Sequence, residues 1–271
     1  MRIKRFTPLQ RLFHLLLMLS FLTQGATGLA RLYIETSWGN FLANIFGGYR
    51  AAGTVHKVVG VLMICAFAAH VLYLITRINW RRFPKDLIGP DSLLPRPQDI
   101  LDFIRHVVWL LGLARPPRFD RWGYWEKFDY WAVFWGIPVL AVTGLLLTFP
   151  VLTGRYLPGW VLIPALWVHR IEALLAMAHI FIIHFFIGHL RRHNFPMDQA
   201  MFEGSVDLEA MNEEKPAWIE RENASGKLQD LLVSQASFRR RVVYYIFGYA
   251  AMAVGAFLLI GGIINSTSIT W

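Results

Sequence analysis

Apolar runs long enough to cross a bilayer alternate with polar, often basic stretches along this chain of 271 residues. Five runs stand out: about Leu12 to Ala30, Gly53 to Ile75, Trp125 to Phe149, Trp167 to Leu190 and Val242 to Ile264. Each is close to or beyond the roughly 20 residues that a spanning helix needs. The opening MRIKRFTPLQR resembles the start of a signal peptide, but the run behind it is too long and lacks a small-residue cleavage site, so a retained helix is expected. Pro138 predicts a kink in the third span.

The connections differ in kind. A Gly-, Asn- and aromatic-rich loop (Tyr33 to Arg50) joins the first two spans, and TGRYLPGW joins the third and fourth. Between them Arg77 to Lys127 is basic and broken by Pro84, Pro90, Pro95, Pro97, Pro116 and Pro117. Inside it Ile100, Leu101, Ile104, Val107, Val108 and Leu111 recur at helical spacing, predicting an interfacial helix near 98–113. Residues 191 to 238 are polar, and no soluble domain with a core of its own is expected there, nor an internal repeat. The predicted fold is an all-α membrane protein. A four-helix bundle over 1–195 is followed by a polar segment, 196–240, and a fifth transmembrane helix with a short tail, 241–271.

Composition agrees: the chain is 55% hydrophobic and has a mean hydropathy of +0.41. Its single cysteine, Cys65, is expected as a buried core thiol; it excludes a disulfide within the chain and a Cys-x-x-Cys-His attachment of c-type haem. A net charge of +9 invites a nucleic-acid reading, yet the basic residues sit beside spans, where topology and anionic lipid explain them. With the N-terminus cytoplasmic, twenty-two lysines and arginines fall inside and five outside. The expectation is a multi-pass protein of a bacterial inner membrane, N-terminus cytoplasmic and C-terminus periplasmic.

Imidazoles are costly in hydrocarbon and in a spanning helix usually have a task. The fourth span carries His169 and His184, fifteen residues apart, which an α-helix separates by about 22 Å along its axis and about 60° around it. The second span carries His56 and His70, fourteen residues apart, separated by about 21 Å and about 40°. Both helices descend from the outer surface, so His56 matches His169 in depth and His70 matches His184. Paired histidines at two depths form a bis-imidazole cage for two b-type haems, the outer one between His56 and His169. Gly60, Gly25, Gly28, Gly136 and Gly144 would let a macrocycle or a helix approach. His14, one turn into the first span, shares the inner depth. Either His14 or His70 pairs with His184, or a third haem is present. His179 is expected as a polar packing contact, His189 and His193 as solvated histidines at the cytoplasmic end, and His106 among headgroups.

RLFHLLLMLSFLTQGATGL, VHKVVGVL, HRIEALLAMAHIFIIHFF and HLRRHNFPMDQAMFEGSV, in that order and at those depths, resemble cytochrome b subunits of respiratory formate dehydrogenases (the gamma subunit) and of nickel–iron hydrogenases, in a broader cytochrome b561-like group. The resemblance covers the first four spans and the segment after them. It implies His56 and His169 on an outer haem, and His14 and His184 on an inner one, with menaquinone or ubiquinone handled beside it. Three departures stand out: the presence of His70, a fourth-span spacing of fifteen rather than fourteen, and a fifth span.

The function expected is transmembrane electron transfer between the quinone pool and a periplasmic redox partner, a multihaem cytochrome c or an iron–sulfur subunit. GYWEKFDYW puts Tyr124, Glu126, Lys127 and Asp129 at the cytoplasmic surface as a candidate quinone site, against the plainer reading of a solvated helix N-terminus. Two rival readings are a self-sufficient transmembrane reductase of ferric iron or a small molecule, and a haem-free transporter that uses its histidines for protons or metal.

Overall fold

The computed structural model describes residues 1–191, 194, 195 and 197–269, with Asp86 described by its backbone alone. His193 lies outside the described residues. The elements follow as β1 (Arg2–Lys4), α1 (Pro8–Leu32), α2 (Ser37–Ile45), α3 (Tyr49–Arg77), α4 (Pro97–Leu110), α5 (Tyr124–Thr148), α6 (Pro150–Tyr156) and α7 (Leu162–Ala178). After α7 come two π-helical stretches, His179–His184 and Phe186–Leu190, then α8 (Ala200–Glu203), β2 (Ser205–Asp207), α9 (Leu208–Glu214), α10 (Pro216–Ala224), α11 (Leu228–Leu231), β3 (Leu232–Val233) and α12 (Phe238–Ile264).

Among the described residues five helices are long and apolar enough to span: α1, α3, α5, the composite Gly159–Leu190, and α12. Leu62, Leu72, Ile246 and Ile263 point outward, as they do where lipid is the solvent. Cys65, expected inside, also lies on an exposed face, because α3 presents only one side to the bundle. The first helix starts four residues earlier than its hydropathy suggests. Thr7 caps it by accepting from Gln10 N at 3.3 Å, Gln10 accepts from Thr7 N at 2.9 Å, and Pro8 takes the first position.

The helices pack as two principal pairs, α1 along α3 and α5 along α7, with lighter contact between α3 and α5. The fifth helix, α12, leans on α1 and on the π segment, so it fills an edge of the bundle. Glycines permit this: a Cβ on Gly255 would come within 2.8 Å of Phe181 and Phe185, and one on Gly261 within 2.3 Å of Trp38. Leu29, Ala30, Tyr33, Met177, Phe181 and Leu258 form the core of this junction, and the Tyr33 hydroxyl donates to Gly262 O at 2.9 Å.

The polar segment departs from expectation. It folds over the face where α1 begins, hereafter the N-terminal face, as a small cap with a core of its own: Ile3, Ala200, Val206, Met211, Trp218 and Ile219. Its three-stranded sheet runs β2-β1-β3, with Arg2 opposite Asp207 and Val233. The central strand comes from the chain's first residues, which is why the later segment taken alone lacks a core. The helix expected near 98–113 is α4; its Ile100, Phe103, Ile104 and Leu110 are exposed.

Candidate functional site

At the far end of the bundle from the cap, His56 on α3 faces His169 on α7. Their ring centroids are 6.2 Å apart and their planes 78° apart. His56 Nδ1 lies 2.9 Å from Thr27 Oγ1 on α1, and His169 Nδ1 lies 2.9 Å from Thr143 Oγ1 on α5. Each threonine hydroxyl already donates to a carbonyl four residues back, to Thr23 O and Val139 O at 2.7 Å. Its oxygen is therefore left to accept, so each imidazole carries its proton on Nδ1 and keeps a bare lone pair on Nε2.

The next residue after each threonine is glycine. A Cβ on Gly28 would meet His56 Cε1 at 3.4 Å, and one on Gly144 would meet His169 Cε1 at 3.2 Å. Thr27-Gly28-Leu29 and Thr143-Gly144-Leu145 thus do the same work on two helices. Neither threonine stands out in sequence, because three shared residues make no detectable repeat.

Nearer the cap, His14 on α1 faces His184 with centroids 6.3 Å apart and planes 39° apart. His184 Nδ1 is 2.5 Å from Asp129 Oδ2, and the other carboxylate oxygen is 2.9 Å from His179 Nε2. His179 is accordingly a polar contact of the α5–α7 pair. His189 stands edge-on to His184 at 6.0 Å. His70 goes elsewhere: its Nε2 is 2.9 Å from the Tyr130 hydroxyl, and Phe13 packs against its ring at 4.9 Å.

The two facing pairs can be tested against an iron atom. Two metal–imidazole bonds of about 2 Å plus two ring radii of about 1.2 Å would put the centroids of two imidazoles holding one metal up to about 6.4 Å apart. The observed separations, 6.2 and 6.3 Å, lie close to that value. Second-sphere acceptors on three of the four Nδ1 atoms supply the orientation that metal-bound histidines generally have. The donor set fits a bis-imidazole iron at each depth.

The π turn also accounts for the fifteen-residue spacing. In an α-helix the fifteen-residue spacing would leave His184 about 60° around the axis from His169. The π-helical stretch His179–His184 takes up one more residue per turn and absorbs it.

Tyr124, Glu126, Lys127 and Asp129 do not gather into one site. The Tyr124 hydroxyl lies 3.0 Å from His106 Nδ1, inside an aromatic cluster with Phe119 and Trp125. Glu126 accepts from Arg5 at 2.5 Å, Lys215 at 2.6 Å and Gly123 N at 2.6 Å. Lys127, 1% exposed, holds Asp99 at 2.8 Å, so the solvated helix end expected there is also absent. The cap is the reason, since it covers the start of α5 and brings Lys215 onto Glu126. Burial pulls the Lys215 ammonium below the ordinary lysine range although Glu126 pulls the other way. Only Asp129 reaches the inner histidines.

Among known proteins, no curated sequence matches the chain. The family model described as prokaryotic cytochrome b561 matches residues 5–204. That stretch holds His14, His56, His169 and His184 and ends before α12. With four spanning helices, three of which carry the two histidine pairs, inside the matched region, the chain belongs to the prokaryotic cytochrome b561 family, transmembrane electron-transfer proteins with b-type haem.

Proposed function

We propose that this chain is a two-haem subunit that carries electrons across the inner membrane between the quinone pool and a redox partner on the far face. His56 and His169 hold one haem b, and His14 and His184 hold the other. The reading rests chiefly on the two facing pairs, each near the separation at which two imidazoles would hold one iron between them. One-electron carriage is the chemistry that haem b supplies when held there. The protein's share is orientation: Thr27 and Thr143 fix the far pair, and Asp129 fixes His184.

The N-terminal face is assigned to the cytoplasm, because twenty-two of the twenty-seven lysines and arginines belong to segments on that side. Arg31, Arg50, Lys57 and Arg155 are exposed toward the far face, where, among the described residues, α2, α6, short 3-10 helices and turns cover the helix ends. A multihaem cytochrome c or an iron–sulfur subunit docking there would complete the path.

A pyridine haemochrome assay on the purified, folded chain tests the reading. Two b haems per chain are expected. His14→Ala should remove one, as should His169→Ala, whereas His70→Ala should keep both. Absence of haem from wild-type protein expressed with ample haem supply would exclude electron carriage and favour the transporter.

A further inference from the structure

His70 and Tyr130 are left over once the four iron-facing histidines are accounted for. They sit on α3 and α5, which pack more lightly than either principal pair, and meet across the seam between them at 2.9 Å. The imidazole carries one N–H and the phenol one O–H, yet a single hydrogen bond joins them. If Tyr130 donates to Nε2, the proton of His70 lies on Nδ1, a buried atom without a partner. If Nε2–H donates to Tyr130, the phenolic O–H has no acceptor. Either way the pair holds one donor too many in a medium that offers no water, an arrangement of real free-energy cost. In the second arrangement the buried Nδ1 keeps a lone pair in place of a stranded N–H, and the unmet donor is the Tyr130 O–H, which a carbonyl acceptor in the seam would satisfy.

The surroundings define that occupant. Phe13, Phe67 and Phe134 line the pair, with Phe134 at 4.9 Å from the Tyr130 ring and 6.1 Å from His70. His70 and Tyr130 are only partly buried although they lie within spanning helices, so the approach is from the bilayer. Phe13 directly precedes His14, which places the seam beside the inner histidine pair. A planar, lipid-soluble molecule with a carbonyl acceptor answers all of these features.

We propose that the α3–α5 seam binds a quinone headgroup, with the Tyr130 hydroxyl donating to a quinone carbonyl and His70 holding that hydroxyl in position. The placement rests on the quinone-linked reading above. It replaces the start of α5, where Glu126 and Lys127 are closed in ion pairs.

The experiment titrates the haem-replete full chain in detergent with a heptyl hydroxyquinoline N-oxide, a planar lipophilic quinone mimic whose fluorescence is quenched beside haem. Haem per chain is measured on each sample. One binding site per wild-type chain is expected. Tyr130→Phe, which keeps the packing, and His70→Leu should each weaken binding roughly ten-fold with both haems retained. Tyr124→Phe should leave it unchanged. Absence of binding to the wild type, wild-type affinity in Tyr130→Phe, or loss of affinity in Tyr124→Phe instead would each overturn the placement. So would loss of a haem in His70→Leu, which would make His70 a ligand. A wild-type chain without haem would instead defeat the electron-transfer reading beneath it.

Discussion

His184 and Asp129 meet at 2.5 Å, Nδ1 to Oδ2, the shortest contact among those that orient the four facing histidines. The far pair has neutral threonine hydroxyls in the same role, at 2.9 Å. A carboxylate that accepts from a ligand imidazole makes that imidazole more basic and favours the ferric state, more than a hydroxyl does. The inner haem should therefore have the lower potential of the two. Asp129→Asn exchanges a charge-assisted hydrogen bond for a neutral one, a difference of about 1.4 kcal/mol, or about 60 mV for one electron. A redox titration followed in the haem α-band should show the lower wave rising by about that amount, with the upper wave unmoved.

Ring orientation separates the two sites spectroscopically. The His56 and His169 planes are 78° apart, and those of His14 and His184 are 39° apart. Near-perpendicular imidazoles leave two iron d-orbitals almost degenerate, which gives a highly anisotropic low-spin ferric signal. A smaller angle lifts the degeneracy and yields a more rhombic one. Low-temperature EPR of the oxidised protein should show one signal of each kind. His14→Ala should remove the rhombic signal, and His169→Ala the anisotropic one.

Much of this arrangement is legible in the residues. The spans, the depths of His14, His56, His169 and His184, and the glycines at 28 and 144 follow from hydropathy and helical geometry. What sequence left open was which inner histidine pairs with His184, because depth alone does not tell His14 from His70. The choice depends on rotation about α1 and on the π stretch His179–His184, and neither has a local sequence signature. The cap was illegible for another reason: its central strand, Arg2–Lys4, joins segments about two hundred residues away. Hydropathy reads neighbours along the chain, so it saw a basic N-terminus and a polar stretch.

The π stretch is held from outside by α12. Phe181 and Phe185 project from it into the space above Gly255, where a Cβ would sit 2.8 Å from both rings. Gly255→Val overfills this contact, at about 1–3 kcal/mol, and pushes on the turn that carries His184. The expected result is a fall from two haems per chain toward one, with the loss confined to the inner site. Gly262→Ala is the matched control on the same helix, since its Cβ would make only an ordinary contact with Leu29 at 4.0 Å. Equal haem content in the two variants would mean that α12 has no part in setting the π register.

Lys215 locks the cap to the bundle. It is fully buried, holds Glu126 at 2.6 Å, and lies 4.3 Å from the centroid of the Trp125 ring. Arg5 reaches the same carboxylate at 2.5 Å from the chain's other end and stacks on Trp122 at 4.7 Å. Glu126 thus ties both ends of the cap to the first turn of α5. Lys215→Met leaves the carboxylate with Arg5 alone, and loss of one partner from a buried ion pair costs about 3–5 kcal/mol. The effect belongs near the lower end, because Arg5 still compensates part of the charge. Hydrogen exchange in residues 205–233 should accelerate, and limited proteolysis should cut there first. Haem stoichiometry should stay at two, since none of the four facing histidines belongs to the cap. Adding Glu126→Gln to Lys215→Met should lower the protection further, because it strands the buried Arg5 guanidinium, and a double variant as well protected as the single one would show that the lock is packing against Trp125 rather than charge.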